Sequence, residues 1–218
     1  FVVTDTVFSM DGVAAPLADL CDIAERSDAT LIVDEAHGTG VFGDDGRGVC
    51  ERDGVESRVA VRIGTLSKAI GGVGGFVAAS NVVGDWLWNT ARSQFFSTAL
   101  PPAACAAAVR SLEIIQKDPE RRMRLHQRCE QARRLASEFA LPGIEGSCGP
   151  IVPIVLGDDQ RAAEVSRRLL AAGWFVPAIR PPTVAAGTAR LRLSVSSEHS
   201  PEMIDGVMTS IRQITASI

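Results

Sequence analysis

The amino-acid sequence predicts an α/β fold in which parallel strands are followed by a smaller α/β unit. Two apolar runs, at residues 31–33 and 59–63, have the length and composition of buried strands. A strand at residues 1–4 and a helical repeat that begins near Pro16 precede the first run. Strand, helix and strand in this order form a βαβ unit, whose strands are parallel because the crossover needs this length.

The first part of the chain ends in helices. Residues 41–54 combine glycines with charged residues, a composition that predicts a loop. The segment at 103–116 is rich in alanine, which has the highest intrinsic helix propensity. The predicted elements are, in order, a helix at 17–28, a strand at 30–34, a strand at 75–80, and helices at 82–92 and 103–116.

A second part begins at Pro119, which opens a helix predicted to run to residue 139. Its arginines alternate with glutamates, so we expect a solvated face and not a nucleic-acid patch. This helix divides the chain into predicted domains at 1–118 and 119–218. After a stretch rich in proline and glycine, the expected elements are a strand at 151–156, a helix at 160–172, and strands at 174–180 and 189–195.

The overall composition narrows the function. Apolar residues make up 46% of the 218 residues and charged residues 22%, as expected for a soluble globular protein. The five cysteines are odd in number and form no Cys-x-x-Cys pair, so we expect free thiols in a reducing cytoplasm. A net charge of -4 argues against nucleic-acid binding, and no apolar run approaches the roughly 20 residues of a membrane span. The five cysteines are scattered without metal-ligand spacing, so no metal is predicted. Because the sequence opens inside an apolar strand, we expect a longer chain to precede it.

Three polar side chains follow the two apolar runs. Asp34 ends the first run and His37 lies three residues later, while Lys68 follows the second run in Gly64-Thr65-Leu66-Ser67-Lys68. Because ligands of open α/β sheets bind at the carboxyl ends of strands, these side chains are expected to meet at one ligand. Taken singly, each has a plainer explanation: a turn cap for Asp34, a backbone-bonded imidazole for His37 and a surface charge for Lys68.

A lysine that faces a carboxylate suits pyridoxal 5'-phosphate (PLP). The lysine forms a Schiff base with this cofactor, and the carboxylate keeps the pyridine nitrogen protonated. Thr65, three residues before the lysine in a turn bordered by glycines, has a hydroxyl suited to phosphate. The glycine run at 71–75 is neither a Walker A loop nor a dinucleotide fingerprint.

Three motifs make the sequence similar to a known family. The segments Phe8-Ser9-Met10-Asp11-Gly12, Val33-Asp34-Glu35-Ala36-His37-Gly38 and Gly64-Thr65-Leu66-Ser67-Lys68-Ala69 resemble, in order and spacing, those of the α-oxoamine synthases. These are PLP enzymes with the aminotransferase-like fold (fold type I). The resemblance implies part of the large PLP-binding domain, followed by a small carboxyl-terminal α/β domain, and a homodimer.

The resemblance also assigns roles to residues. It implies that Lys68 carries the cofactor, Asp34 faces the pyridine nitrogen, and Ser9 and His37 contact the phenolic oxygen. Ser9 has the alternative role of a helix or turn cap. Thr65 is assigned to the phosphate, and so are Ser97 and Thr98 from a neighbouring subunit. For these last two residues the alternative is capping of the helix that follows.

One arginine is expected to bind a substrate carboxylate. Strict alternation at 189–195 puts Leu191 and Leu193 on one strand face and Arg190 and Arg192 on the other. Either guanidinium could clamp a carboxylate with two parallel hydrogen bonds, and alternation does not choose between them. The resemblance selects Arg192 as the clamp and Thr183 as a further substrate contact.

Residues 180–184 and 189–193 are most similar to members that act on L-alanine. The implied reaction is decarboxylative condensation of L-alanine with a pimeloyl thioester, carried by CoA or a carrier protein, to 8-amino-7-oxononanoate of biotin biosynthesis. An alternative is a sister enzyme that uses glycine or serine with another acyl-CoA, and another is a truncated piece inactive on its own. Asp34-Glu35-Ala36-His37 is also a helicase signature, but no Walker A loop accompanies it.

Overall fold

The computed structural model describes residues 1–218, which form two compact units. The first unit comprises Phe1–Val7 and Ala14–Pro119, and the second comprises Phe8–Val13 and Glu120–Ile218. The turn at Phe8–Val13 therefore belongs to the second unit, although both of its neighbouring segments belong to the first. No helix has the combination of length and apolar composition needed to cross a membrane.

A four-stranded sheet forms the centre of the first unit. Its strands are β1 (Val2–Asp5), β2 (Leu31–Asp34), β3 (Val61–Thr65) and β4 (Gly75–Ala79), in that spatial order. The first three strands are parallel, and β4 pairs with β3 in the antiparallel direction. The carboxyl ends of β1, β2 and β3 therefore lie along one edge of the sheet.

Five helices accompany this sheet: α1 (Leu17–Arg26), α2 (Val49–Arg52), α3 (Asn81–Thr90), α4 (Arg92–Phe95) and α5 (Pro102–Lys117). Helix α1 buries Leu17, Cys21 and Ala24 at helical spacing, as the apolar repeat predicts. Helix α3 begins at the cap residue Ser80, whose hydroxyl accepts from the backbone N–H of Val83.

The first unit also has a broad exposed apolar face, formed by β4, α3, α4 and the first turns of α5. Neither α3 nor α4 buries a single residue. Trp86 and Trp88 are 69% and 68% exposed, and Phe96 is 75% exposed. Exposed aromatic side chains at this density are unusual for a protein surface.

The second unit is a three-stranded antiparallel sheet covered by helices. Its elements are α6 (Pro119–Glu138), β5 (Ile151–Gly157), α7 (Asp159–Ala171), β6 (Ala178–Ile179), β7 (Ala189–Ser194) and α8 (Pro201–Ala216). Strand β7 lies between β5 and β6. Leu191 and Leu193 point into a core shared with Val165, Leu169 and Met208, so the predicted alternation along β7 is confirmed.

The structure corrects four local predictions. The glycine-rich stretch at 41–54 contains α2, whose Val49 and Cys50 are completely buried. The strand predicted at 174–180 is reduced to the two residues of β6, because Pro177 lacks the N–H that a ladder requires.

The other two corrections concern burial. The apolar run at 59–63 is not fully buried, since Ile63 in β3 is 38% exposed. Arg122 of α6 is 8% exposed and so does not belong to a solvated face.

Helix α8 was not predicted at all, although the cap Ser200 and Pro201 at its first position are typical start signals.

Candidate active site

The candidate site lies at the carboxyl edge of the sheet in the first unit. Asp5, Asp34 and Thr65 are the last residues of β1, β2 and β3, and Asp5 and Asp34 are register partners. Parallel pairing brings these three strand ends together because all the strands run in one direction. The turns that follow β2 and β3 carry His37 and Lys68.

The lysine and the histidine are in direct contact. Lys68 Nζ lies 3.0 Å from His37 Nε2, a hydrogen-bond distance. Lys68 is exposed and His37 is half-buried, so the amine is accessible to a ligand while the imidazole is partly fixed. The two residues come from turns 31 positions apart, and the parallel pairing of β2 with β3 brings these turns together.

Asp34 has a local role that leaves part of its carboxylate available. Its Oδ1 accepts a hydrogen bond of 2.7 Å from the backbone N–H of Ala36, the turn-capping contact that the sequence suggested as the plainer explanation. Its Oδ2 accepts no hydrogen bond from the protein. A capping contact and a second ligand are therefore compatible at this carboxylate.

Asp5 adds a charge from outside the three sequence motifs. The pKa of Asp5 is raised, first by burial and then by the neighbouring Asp34 carboxylate, while the Lys68 ammonium acts in the opposite direction. Asp5, Asp34 and Lys68 therefore share one electrostatic environment. The signal was present in the sequence, because both Val3-Thr4-Asp5 and Ile32-Val33-Asp34 end an apolar run in an acid.

The turn that carries Lys68 is closed by its own backbone and by Thr65. The Thr65 hydroxyl lies 2.7 Å from Ser67 Oγ and 3.2 Å from the carbonyl oxygen of Gly74. Gly74 has a φ of +112°, and a Cβ there would lie 2.8 Å from Leu100 Cδ1. The segment after α4 thus packs directly on the lysine turn, and the positive φ of Gly74 is a conformation in which a residue with a side chain would be strained.

Ser97 and Thr98, in the same segment as Leu100, are exposed. Neither caps the following helix, because α5 begins after Pro101 without a side-chain cap. The Ser97 hydroxyl donates a 3.4 Å hydrogen bond to the carbonyl oxygen of Thr98. Their assignment to a phosphate stays a prediction.

The remaining predicted site residues belong to the second unit. Ser9 lies half-buried in the turn after β1, and Thr183 is exposed after the cis peptide bond between Pro181 and Pro182. Arg192, in the central strand β7, has a buried Nε without a hydrogen-bond partner, and burial lowers its pKa. A half-buried guanidinium whose Nε lacks a protein partner is suited to bind an external carboxylate.

Arg190 differs from Arg192 in its hydrogen bonding. Its guanidinium forms an ion pair with Asp11 and donates a 3.0 Å hydrogen bond from Nε to the carbonyl oxygen of Thr188. Only 8% of the residue is exposed. The structure therefore separates the two arginines that alternation left equivalent: Arg190 is engaged within the protein, and Arg192 is not.

Comparison with known proteins identifies the family. Residues 1–211 match the family of aminotransferase class I and II, and the chain belongs to this family. The fold class predicted from the sequence is thereby confirmed.

Among curated relatives, 8-amino-7-oxononanoate synthase of Anaeromyxobacter dehalogenans is 46% identical over 98% of this chain. The chain spans 53% of that relative, about half its length.

Two solved structures show the same architecture. A structure of serine palmitoyltransferase (SPT) with a PLP internal aldimine has a TM-score of 0.95 and 34% identity, covering 99% of this chain and 55% of that one. The 8-amino-7-oxononanoate synthase of Francisella tularensis has a TM-score of 0.87 and 30% identity, covering 98% and 62%. Together with the curated relative, these structures confirm the predicted similarity to α-oxoamine synthases.

Proposed function

We infer that the chain is the PLP-binding and amino-acid-binding part of an 8-amino-7-oxononanoate synthase. The observation that carries this proposal is the contact between Lys68 Nζ and His37 Nε2, beside the Asp34 carboxylate at the end of β2. The names of the most similar curated relatives support the choice of reaction. In that reaction L-alanine and a pimeloyl thioester combine, and carbon dioxide and the thiol carrier leave.

The residues at the sheet edge fit PLP. Lys68 provides an exposed amine for the cofactor aldehyde, and Asp34 Oδ2 is available for a protonated pyridine nitrogen. We assign Ser9 and His37 to the phenolic oxygen, and Thr65, Ser97 and Thr98 to the phosphate. When bound, PLP supplies an electron sink for the electron pair released at Cα of the amino acid.

The protein groups then have distinct tasks. Arg192 and Thr183 bind and orient the carboxylate of L-alanine, which the unpartnered Arg192 Nε supports. The Lys68 amine, once released from the cofactor, removes the Cα proton and later returns one. His37 keeps this amine oriented through the 3.0 Å contact. The carbon nucleophile attacks the thioester carbonyl, so a C–C bond forms and the C–S bond breaks.

Covalent trapping tests the cofactor assignment directly. The chain contains only two lysines, Lys68 and Lys117, and both are exposed. After incubation with PLP and reduction with borohydride, peptide mass spectrometry should find the pyridoxyl group on Lys68 in large excess over Lys117. Lys117→Arg should leave the trapping unchanged, and Lys68→Arg should abolish it. Equal labelling of the two lysines would contradict the proposal.

Spectral titration then tests the substrate. L-alanine should change the visible spectrum of the PLP-loaded protein at a lower concentration than glycine or L-serine does. Preference for L-serine would instead favour a sister enzyme. The high TM-score of the serine palmitoyltransferase structure supports this alternative. Addition of pimeloyl-CoA or a pimeloyl carrier protein should release thiol and carbon dioxide in equal amounts.

Turnover has a further requirement. Since the chain spans about half of its relatives, a protein that traps PLP on Lys68 without releasing thiol is a binding piece that needs additional chain.

A homodimer is part of the proposal. Sedimentation equilibrium measures it, with a mass of twice 23.1 kDa expected for the chain.

A further inference from the structure

Glu35 is a buried carboxylate that the proposed reaction does not use. It is 2% exposed and forms no salt bridge. Its charge is instead compensated by three donors: the Thr6 hydroxyl at 2.9 Å and the backbone N–H groups of Val49 at 3.0 Å and Cys50 at 2.7 Å. A carboxylate buried without a cation persists only when such hydrogen bonds satisfy it.

These three donors tie separate parts of the chain to one side chain. Thr6 directly follows β1, whereas Val49 and Cys50 form the first turn of α2, where backbone N–H groups are otherwise unpaired. Gly38 and Gly48 pack so closely on Glu35 that a Cβ at either position would collide with its carboxylate. The glycines of this loop therefore make room for the buried acid.

The main chain of Glu35 closes the turn that contains His37. The backbone N–H groups of Gly38 and Thr39 both donate to the Glu35 carbonyl oxygen, each at 2.8 Å. His37 lies inside this turn, and its imidazole reaches Lys68 from there. One residue thus fixes the turn by its carbonyl and anchors it to β1 and α2 by its side chain.

We propose that Glu35 is a positioning residue that holds His37 in contact with the Lys68 amine. This role deepens the proposed function, because it affects catalysis only if Lys68 carries the cofactor. The contact between His37 and Lys68 exists without cofactor, so the effect of Glu35 on it is measurable on the protein alone. Failure of this proposal is therefore distinguishable from failure of PLP trapping.

The test is competitive labelling of the two lysines. Reductive methylation with formaldehyde is followed by mass spectrometry, and Lys117 serves as the internal reference for Lys68. The variant His37→Ala gives the ratio of Lys68 labelling to Lys117 labelling when the contact is absent. We expect this ratio to rise about threefold to tenfold, as for loss of one hydrogen bond. Glu35→Gln should reach the same ratio. The NH2 of the glutamine amide must face one of the groups that donate to Glu35, and an NH2 cannot accept that hydrogen bond.

Glu51→Gln is the matched control. Glu51 is also a mostly buried carboxylate that accepts two backbone N–H groups, but these come from Asp45 and Arg47, and Glu51 also forms an ion pair with Arg47. It should lose stability like Glu35→Gln and keep the original labelling ratio. An unchanged ratio in folded Glu35→Gln, or an equal change in Glu51→Gln, would overturn the proposal.

A second variant covers the case in which Glu35→Gln does not fold. Thr6→Val keeps the branched shape of the side chain and removes the hydroxyl, which donates to Glu35 Oε2 at 2.9 Å and also lies 3.1 Å from the carbonyl oxygen of Asp34. It should move the labelling ratio part of the way toward that of His37→Ala. A folded Thr6→Val protein with the original ratio would count against the role of Glu35.

Discussion

Arg190 forms an ion pair with Asp11, whereas Arg192, two residues along the same strand, has a buried Nε that donates to no acceptor. Strand alternation places both guanidinium groups on one face, yet only one of them is satisfied by the protein. An unsatisfied buried donor lowers stability, so its presence in a central strand is consistent with a requirement for binding.

Replacing Arg192 should therefore improve stability while it impairs binding. Arg192→Met should raise the free energy of unfolding by about 1 kcal/mol in urea denaturation, because a buried unpaired donor is removed. L-alanine affinity, measured by spectral titration with PLP, should fall at least about tenfold. Arg190→Gln is the comparison and should lower stability by about 1 to 2 kcal/mol. If both variants lose stability equally, Arg192 has a structural role.

Asp34→Asn should separate the two roles of this side chain. The amide oxygen of asparagine still accepts the backbone N–H of Ala36, so the turn and the melting temperature should be retained. Without a negative charge the pyridine nitrogen of PLP is no longer kept protonated, and turnover should fall on the order of a hundredfold or more. The comparison of melting temperature with kcat checks both statements. A normal kcat would mean that Asp34 only caps the turn.

The titration of Asp5 should report on its two charged neighbours. Asp34 raises the pKa of Asp5 and Lys68 lowers it, so Asp34→Asn should move this pKa down and Lys68→Ala should move it up. Carboxyl-carbon NMR of the Asp5 side chain measures both shifts. Shifts of the opposite sign would show that the three groups are not neighbours.

The same pKa predicts a pH dependence of stability. Because the folded-state pKa of Asp5 lies above its ordinary value of 3.8, its stabilising contribution is present below pH 3.8 and is lost as pH rises through the folded-state pKa. Asp5→Asn removes this loss. The variant should therefore gain stability relative to the unmodified protein at pH 7 but not at pH 3, as urea denaturation at the two pH values would show.

Thiol reactivity should differ sharply among the cysteines. Cys105 is exposed, whereas burial raises the pKa of Cys129 to about 11. At pH 8, iodoacetamide should label Cys105 on the order of a hundredfold faster than Cys129, because only the thiolate reacts. Cys50, whose pKa is raised by burial and by Glu35, should behave like Cys129. Rapid labelling of Cys129 in the folded protein would contradict its burial.

Much of the first unit could be predicted because local patterns and packing agree there. The βαβ unit of β1, α1 and β2 follows from apolar runs, a proline at the helix start and an acid at the strand end. Helix α2 could not be predicted in the same way. Its four residues are held by the Glu35 carboxylate, a contact between positions 14 and 15 residues apart that no local pattern contains.

In the candidate site, too, local patterns predict some features and long-range contacts determine the others. Strand ends predicted that Asp34, His37 and Lys68 would be neighbours, and the structure brings His37 and Lys68 into contact. The choice between Arg190 and Arg192 depended on Asp11, which lies 179 residues from Arg190 in the sequence. Periodicity gives the face of a strand, but long-range partners decide which side chain remains available.

The exposed apolar face of the first unit gives the protein a built-in optical reporter. Two of the protein's three tryptophans, Trp86 and Trp88, are exposed on α3, and the third, Trp174, lies in the second unit. Indole emission shifts to shorter wavelength when water is removed from the ring. The emission maximum of the unlabelled protein will therefore show, at each concentration or after each addition, whether that face is in contact with water or covered.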